Sequence, residues 1–115
     1  MSTILTLDAL SAPLRALRLL AVDFPDLPAP VVDVTAIYPD RLSLSVHASQ
    51  GGFAAFEAWR AALGIDPDTV DFHVQCDGRT GVLNVLAQYG GADLELTGYT
   101  TVPAGVSRSR AGVAA

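Results

Sequence analysis

The segment from Arg41 to Ala48 alternates strictly between polar and apolar side chains, and no other feature of the chain constrains its fold as strongly. Leucine, valine and alanine take every second position, so they share one face of an extended strand, while arginine, serine and histidine share the other. A strand with one apolar and one polar face is typical of an antiparallel sheet that buries only one side. The fold must therefore cover one face of a sheet and can leave the other face open.

Other segments of the chain predict the remaining strands of this sheet. Tyr38-Pro39-Asp40-Arg41 predicts a hairpin into the alternating strand, because proline suits the second position of a type I turn. Asp77-Gly78 and Gly90-Gly91 are signals for tight hairpins and predict a meander of three strands. The additional predicted strands are residues 31–38, 70–77, 81–89 and 92–99. Alternation within the second of these places Cys76 toward the core.

Two segments have the spacing of amphipathic helices. The first covers residues 12–23. The second covers residues 52–63 and ends at Gly64, which suits the left-handed residue that follows many helices. Apolar side chains recur every three or four residues on one face of each helix. These faces are Leu10, Leu14, Leu17, Ala21 and Phe24 on the first helix, and Phe53, Phe56, Trp59 and Leu63 on the second.

The predicted order of elements is helix, two strands, helix, three strands. Two apolar helix faces and one apolar face per strand are buried most simply when both helices pack on the same side of the sheet. We therefore predict an α+β fold, a two-layer sandwich with an antiparallel sheet of about five strands. The chain of 115 residues suffices for one domain, predicted to span residues 1–103, and residues 104–115 are predicted to be a C-terminal tail.

Composition and charge exclude several functional classes. A single cysteine cannot form an internal disulfide or a multi-cysteine zinc site, and a reducing cytoplasm is the expected location. The start of the chain lacks the pattern of a signal peptide, and no apolar run is long enough for a transmembrane helix. The formal net charge of −5 argues against non-specific binding to nucleic acids. All seven cations are arginines, which we interpret as the codon usage of a GC-rich genome.

The open sheet face is the candidate binding surface. Parity places two histidines and several hydroxyl, amide and carboxylate groups on it, together with apolar side chains that mark an interface when they cluster. Scattered apolar residues also occur on ordinary monomers, so both interpretations stay open. The residues predicted to form this surface are Ile37, Ser43, Ser45, His47, His73, Gln75, Val82, Asn84, Leu86, Gln88, Glu95, Thr97 and Tyr99.

An alternative use of this face is a small-ligand, metal or enzyme site. His47 and His73 have the chemistry of metal ligands or of a general acid and base, with Glu95 or Asp71 as the acidic partner. Polar side chains are also what any solvated sheet face carries. Cys76 is expected to be a buried, inert thiol, since a reactive one needs an exposed, electropositive setting. We predict no catalytic residue, no bound metal and no cofactor.

Three blocks of the sequence carry a resemblance to other proteins. They are Phe24-Pro25-Asp26-Leu27-Pro28-Ala29-Pro30, Tyr38-Pro39-Asp40-Arg41-Leu42-Ser43-Leu44 and Phe56-Glu57-Ala58-Trp59-Arg60-Ala61-Ala62-Leu63-Gly64. Over about residues 14–100 the chain resembles small uncharacterised proteins of actinobacteria. The resemblance implies a cytoplasmic bacterial protein from a mobile or regulatory gene neighbourhood, and it implies no catalytic residues.

The function that we predict is a non-enzymatic protein-binding or regulatory module. Its partner would be another protein or a second copy of the chain. The partner would bind to the open sheet face or to an edge strand. A third hypothesis, after the ligand or enzyme site, is a nucleic-acid-associated regulator. It would use Arg15 and Arg18 on the first helix together with Ser107-Arg108-Ser109-Arg110.

Overall fold

The computed structural model describes residues 4–48 and 53–101. Within that part the chain forms two α-helices and five strands, with short 3-10 turns before the first helix and before the third strand. The elements are α1 (Ser11–Asp23), β1 (Val31–Asp33), β2 (Arg41–Ala48), α2 (Ala54–Leu63), β3 (Asp71–Val74), β4 (Thr80–Tyr89) and β5 (Ala92–Thr101). The predicted α+β class and element order are confirmed. The predicted tail, residues 104–115, lies outside the described residues.

The five strands form one mixed sheet in the order β1-β2-β5-β4-β3. Neighbouring strands are antiparallel except β2 and β5, which run parallel with Leu44 in register with Leu96. The prediction of a purely antiparallel sheet is therefore wrong. α2 and the β3–β4 hairpin carry the chain across the sheet, and β5 then enters beside β2 in the same direction. Side chains alternate with period two in parallel and antiparallel strands alike, so alternation does not distinguish the two.

Both helices pack on one face of the sheet, as predicted. The core includes Leu42, Leu44, Val46, Val85, Leu94 and Leu96 from the sheet and Ala16, Leu20, Phe56 and Trp59 from the helices. α2 approaches β5 so closely that a Cβ atom on Gly98 would lie 2.9 Å from the Cβ of Phe56. Trp59 also holds the proline-rich connector after α1, because its Nε1–H donates a hydrogen bond to the carbonyl of Pro28 over 2.8 Å. Within the described residues, the opposite face of the sheet carries no helix.

The predicted face of α1 is only partly the buried one. Leu17 and Phe24 of that face pack against the core, whereas Leu14 and Ala21 are exposed. The buried residues of the helix are Pro13, Ala16 and Leu20. The small side chain of Ala16 lets the helix approach the β4–β5 turn, where a Cβ atom on Gly90 would lie 3.2 Å from the Cα of Ala16. Spacing alone favours the face with more leucines, but close packing here selects the face that holds the small residue.

β1 and β3 are shorter than predicted. β1 covers only three residues, and a loop then leads to the predicted turn, where the carbonyl of Tyr38 accepts a hydrogen bond from the N–H of Arg41 over 3.0 Å. β3 ends at Val74 because the carboxylate of Asp77 organises a turn that begins one residue later. Cys76 therefore lies exposed in this turn, and the expectation of a buried thiol is wrong.

Candidate binding surface

The sheet face opposite the helices carries a continuous array of polar side chains and is referred to below as the open face. Residues that are paired across neighbouring strands point to the same side, so the register arranges these side chains in transverse rows. The central row consists of Val31, Ser45, Thr97, Asn84 and Asp71. The open face as a whole consists of Val31, Asp33, Arg41, Ser43, Ser45, His47, Asp71, His73, Val82, Asn84, Leu86, Gln88, Asp93, Glu95, Thr97 and Tyr99.

Most residues predicted for the binding surface lie on the open face, and two lie off its strands. Gln75 follows the last residue of β3 and still lines the concave part of the face. Ile37 lies in the loop between β1 and β2 and is exposed there. The prediction omitted Val31 and Asp33, although both alternate with Ile37 in the predicted strand 31–38 and therefore share its side.

A hydrogen-bond network centred on Glu95 joins three strands of the open face. The hydroxyl of Ser43 donates to one carboxylate oxygen of Glu95, and the amide of Asn84 donates to the other, both over 3.2 Å. The same amide nitrogen donates to Oγ1 of Thr97 over 2.8 Å. Nη1 of Arg41 lies 3.9 Å from Oε1 of Glu95 and adds a weaker charge interaction. These bonds hold the polar side chains in one arrangement, and a surface ordered in this way has a lower entropic cost of binding than a mobile one.

The middle of the open face is a shallow depression, open to solvent, with a volume of about 450 Å³. All five strands contribute to its wall. The carboxylates that line it belong to Asp33, Asp71 and Glu95, and no arginine is found among the described residues of the lining. A concavity of this size accommodates one or two large side chains of a partner or a small ligand.

Aromatic and apolar side chains occupy one end of the open face. The rings of His47 and Tyr99 stack with their centroids 4.8 Å apart and their planes inclined by 17°. Val82 is in register with Tyr99 and is only 4% exposed, although no helix of the described chain lies over it. Leu86 is 60% exposed and stands four residues further along β4, about 13 Å away. Val82 and Tyr99 therefore adjoin, while Leu86 is separate from them.

His47 and His73 do not converge. They lie in the same transverse row, but Tyr99 and Val82 stand between them, so three strand spacings, or about 14 Å, separate their backbones. Glu95 lies four residues along β5 from Tyr99, about 13 Å outside that row. No group of three histidine, cysteine, aspartate or glutamate side chains that could hold a metal ion occurs within the described residues. His73 lines the same concavity as Asp71 and Glu95, whereas His47 is not among the lining residues, so the structure does not bring the two histidines into one site.

The open face is acidic. Its carboxylates are those of Asp33, Asp71, Asp93 and Glu95. Arg41 is the only arginine among the strand residues that the structure describes on this face. Its guanidinium carbon lies over the Tyr38 ring, 4.7 Å from the centroid. Arg41 offsets part of the charge of Glu95, 3.9 Å away, whereas Asp33 and Asp71 form no ion pair among the described residues.

Comparison with protein-family models, with curated proteins and with solved structures gives no match for this chain. The resemblance to small actinobacterial proteins thus stays a prediction. Among residues 4–48 and 53–101, no helix has the length and the apolar character that crossing a membrane requires. The function is therefore argued from the geometry of the open face.

Proposed function

We propose that this chain is a non-enzymatic protein-binding module that engages its partner through the open face. The observation that carries the proposal is the concave volume of about 450 Å³ on a sheet face that no described helix covers. The hydrophobic core lies on the other face, so the core does not explain why these polar side chains are bonded to one another. A preorganised surface with a buried apolar residue at one end and polar groups around it has the anatomy of an interface.

The spacing of the titratable groups favours binding over catalysis. A general acid or base must lie within hydrogen-bond reach of the proton that it moves, and a pair that acts on one substrate must converge on it. His47 and His73 are about 14 Å apart, which argues against a shared site on this face. The alternative function of a metal or enzyme site built from these histidines is therefore not part of the proposal.

A nucleic-acid partner is less well supported than a protein partner. Arg15 and Arg18 are exposed on α1, but the concave face is lined by carboxylates that would repel phosphates. The other residues of that hypothesis, Ser107-Arg108-Ser109-Arg110, lie outside the described residues.

The proposal places the module in the cytoplasm. Cys76 is a free and exposed thiol. An exposed thiol is prone to oxidation and to forming mixed disulfides in oxidising compartments, whereas the cytoplasm keeps it reduced. The exposed cysteine therefore supports a reducing environment for this chain.

A matched pair of tyrosine substitutions tests the proposed function. Ser45→Tyr fills the concavity from the central row, where a tyrosine also suits a β-strand, and Ala61→Tyr places the same side chain on the exposed side of α2. Wild-type chain and both variants are immobilised, exposed to an extract of the source organism, and the retained proteins are identified by mass spectrometry. We expect a protein that the wild type and Ala61→Tyr retain and Ser45→Tyr loses. Equal retention by all three, or retention by none, contradicts the proposal, provided that circular dichroism shows the variants to be folded.

A further inference from the structure

The outer side of α1 is unusually apolar for the surface of a helix. It combines three large apolar side chains, between 38% and 68% exposed, with two exposed arginines. These residues share one side because they follow the three- and four-residue spacing of a helix. They are Leu14, Arg15, Arg18, Leu19 and Val22, and together they are named the helix patch. The opposite side of the same helix is buried in the core, so α1 has two apolar sides and the fold uses one of them.

The helix patch and the open face are complementary in charge. In the concavity, Asp33 and Asp71 form no ion pair among the described residues and Glu95 is paired with Arg41, whereas the charged residues of the helix patch are two arginines. A guanidinium binds a carboxylate through two parallel hydrogen bonds, which gives both attraction and orientation. Val31 and Leu86, each 60% exposed, supply apolar contacts on the open face for the leucines and valine of the helix patch.

Charge also selects how two copies of the chain meet. Two open faces would bring their carboxylates together, and two helix patches would bring their arginines together, so both symmetric arrangements repel. A helix patch placed on an open face pairs opposite charges instead. We infer that copies of this chain associate head to tail, with the helix patch of one copy seated in the open face of the next. The inference rests on the proposed function and names a second copy as the partner.

The position of the two surfaces determines what such an assembly looks like. The helix patch points away from the helix layer and the open face points away from the sheet layer, so they lie on opposite sides of the two-layer sandwich. A copy that is bound through its helix patch still offers its open face to another copy. Association by a head-to-tail contact therefore continues beyond a dimer, until the concentration limits it or a ring closes.

Two double charge reversals test the inference. The helix variant carries Arg15→Glu and Arg18→Glu, and the face variant carries Asp33→Arg and Asp71→Arg. All four side chains are exposed, so the fold is expected to tolerate both variants. Sedimentation velocity over a concentration series measures self-association, at about 0.01 M and at about 0.15 M salt, where the screening length falls from about 30 Å to about 8 Å.

We expect the wild type to grow beyond a dimer as its concentration rises, and to dissociate at the higher salt. Each variant alone should associate roughly tenfold more weakly than the wild type. An equimolar mixture of the two variants should recover association, because the glutamates of one variant then meet the arginines of the other. A wild type that stays monomeric throughout, or that stops at a dimer, overturns the inference. So does a mixture that associates no better than its components.

A control variant separates local charge from net charge. Asp26→Arg with Asp68→Arg changes the net charge by the same amount as the face variant, but at exposed positions outside α1 and the sheet. If the head-to-tail contact is correct, this control should self-associate like the wild type. If its self-association is weakened as much as that of the face variant, the inference is overturned. If self-association is absent while Ser45→Tyr still abolishes the capture of another protein, the head-to-tail inference fails and the proposed function stands.

Discussion

The carboxylate of Asp77 holds the turn between β3 and β4 together. It accepts hydrogen bonds from the backbone N–H groups of Arg79, at 2.8 Å, and Thr80, at 3.0 Å, and from the hydroxyl of Thr80 at 2.8 Å. These bonds favour the ionised carboxylate and keep the pKa of Asp77 below its ordinary value, with the bond from Arg79 as the largest cause. A single side chain thus fixes where β3 ends and where β4 begins.

The lowered pKa of Asp77 predicts a pH-dependent contribution to stability. Because the pKa is lower in the folded chain than in the unfolded one, the contribution is complete above the unfolded value, about 3.9, and is lost as the pH falls through the folded value. We expect Asp77→Asn to lower the free energy of unfolding at neutral pH, and the difference from the wild type to shrink below about pH 3.9. Urea unfolding followed by circular dichroism at a series of pH values measures this difference.

A second variant shows whether the backbone donors are responsible. Arg79→Ala removes the arginine side chain and keeps the N–H that bonds Asp77, so its unfolding free energy should follow the wild type as the pH falls. A difference between wild type and Asp77→Asn that stays constant from neutral to acidic pH would show that the turn does not depend on the ionised carboxylate.

At the scale of elements, the sequence predicted some strands well because local chemistry determines them. The pattern of β4 assigned Asn84 to the open face and Val85 to the core, and the register places both as expected. The pattern of α1 predicted only part of the buried face, because the packing of Ala16 against the β4–β5 turn depends on residues far away in the chain. Periodicity records which side chains are apolar, whereas close approach depends on the shape of the partner surface.

The packing of α2 on β5 gives a prediction at this scale. Gly98 faces Phe56, and a Cβ atom at this position would lie 2.9 Å from both Cβ and Cδ2 of the phenylalanine. Alanine is otherwise easier to accommodate in a strand than glycine, so a local view predicts that Gly98→Ala stabilises the fold. We expect the opposite, a loss of about 1–3 kcal/mol in unfolding free energy, because α2 must move away from the sheet. Denaturant unfolding followed by circular dichroism tests this, and a variant as stable as the wild type would contradict the close contact.

At the scale of the molecule, strand order decides what the candidate site can do. Alternation placed both His47 and His73 on the correct face. The distance between them, however, depends on which strands lie between their own strands. β5 and β4 take those positions. β4 and β5 follow one another in the chain, but the parallel pairing of β2 with β5 joins segments that are distant in sequence. No local pattern carries that information, so the open face was predictable and its internal geometry was not.

The central position of β5 predicts that the molecule unfolds as one unit. β5 joins the β1–β2 pair to the β3–β4 pair, and Leu96 at its centre is fully buried, in register with Leu44 on one side and Val85 on the other. Leu96→Ala should therefore lower the unfolding free energy by about 2–5 kcal/mol, while Leu86→Ala on the exposed face should change it by less than about 0.5 kcal/mol.

If the molecule unfolds as one unit, probes in different parts of it should report the same unfolding transition. Trp59 is the only tryptophan of the chain and lies in the core on α2, so its fluorescence follows the helix layer, while amide hydrogen exchange in β3 and β4 follows the far end of the sheet. Both probes should report the same unfolding free energy in the wild type, and Leu96→Ala should lower both equally. A variant in which the β3–β4 amides exchange freely while the Trp59 signal stays native would mean that the two halves fold separately. In that case β5 would belong to one half only, and the open face would not be a single surface in solution.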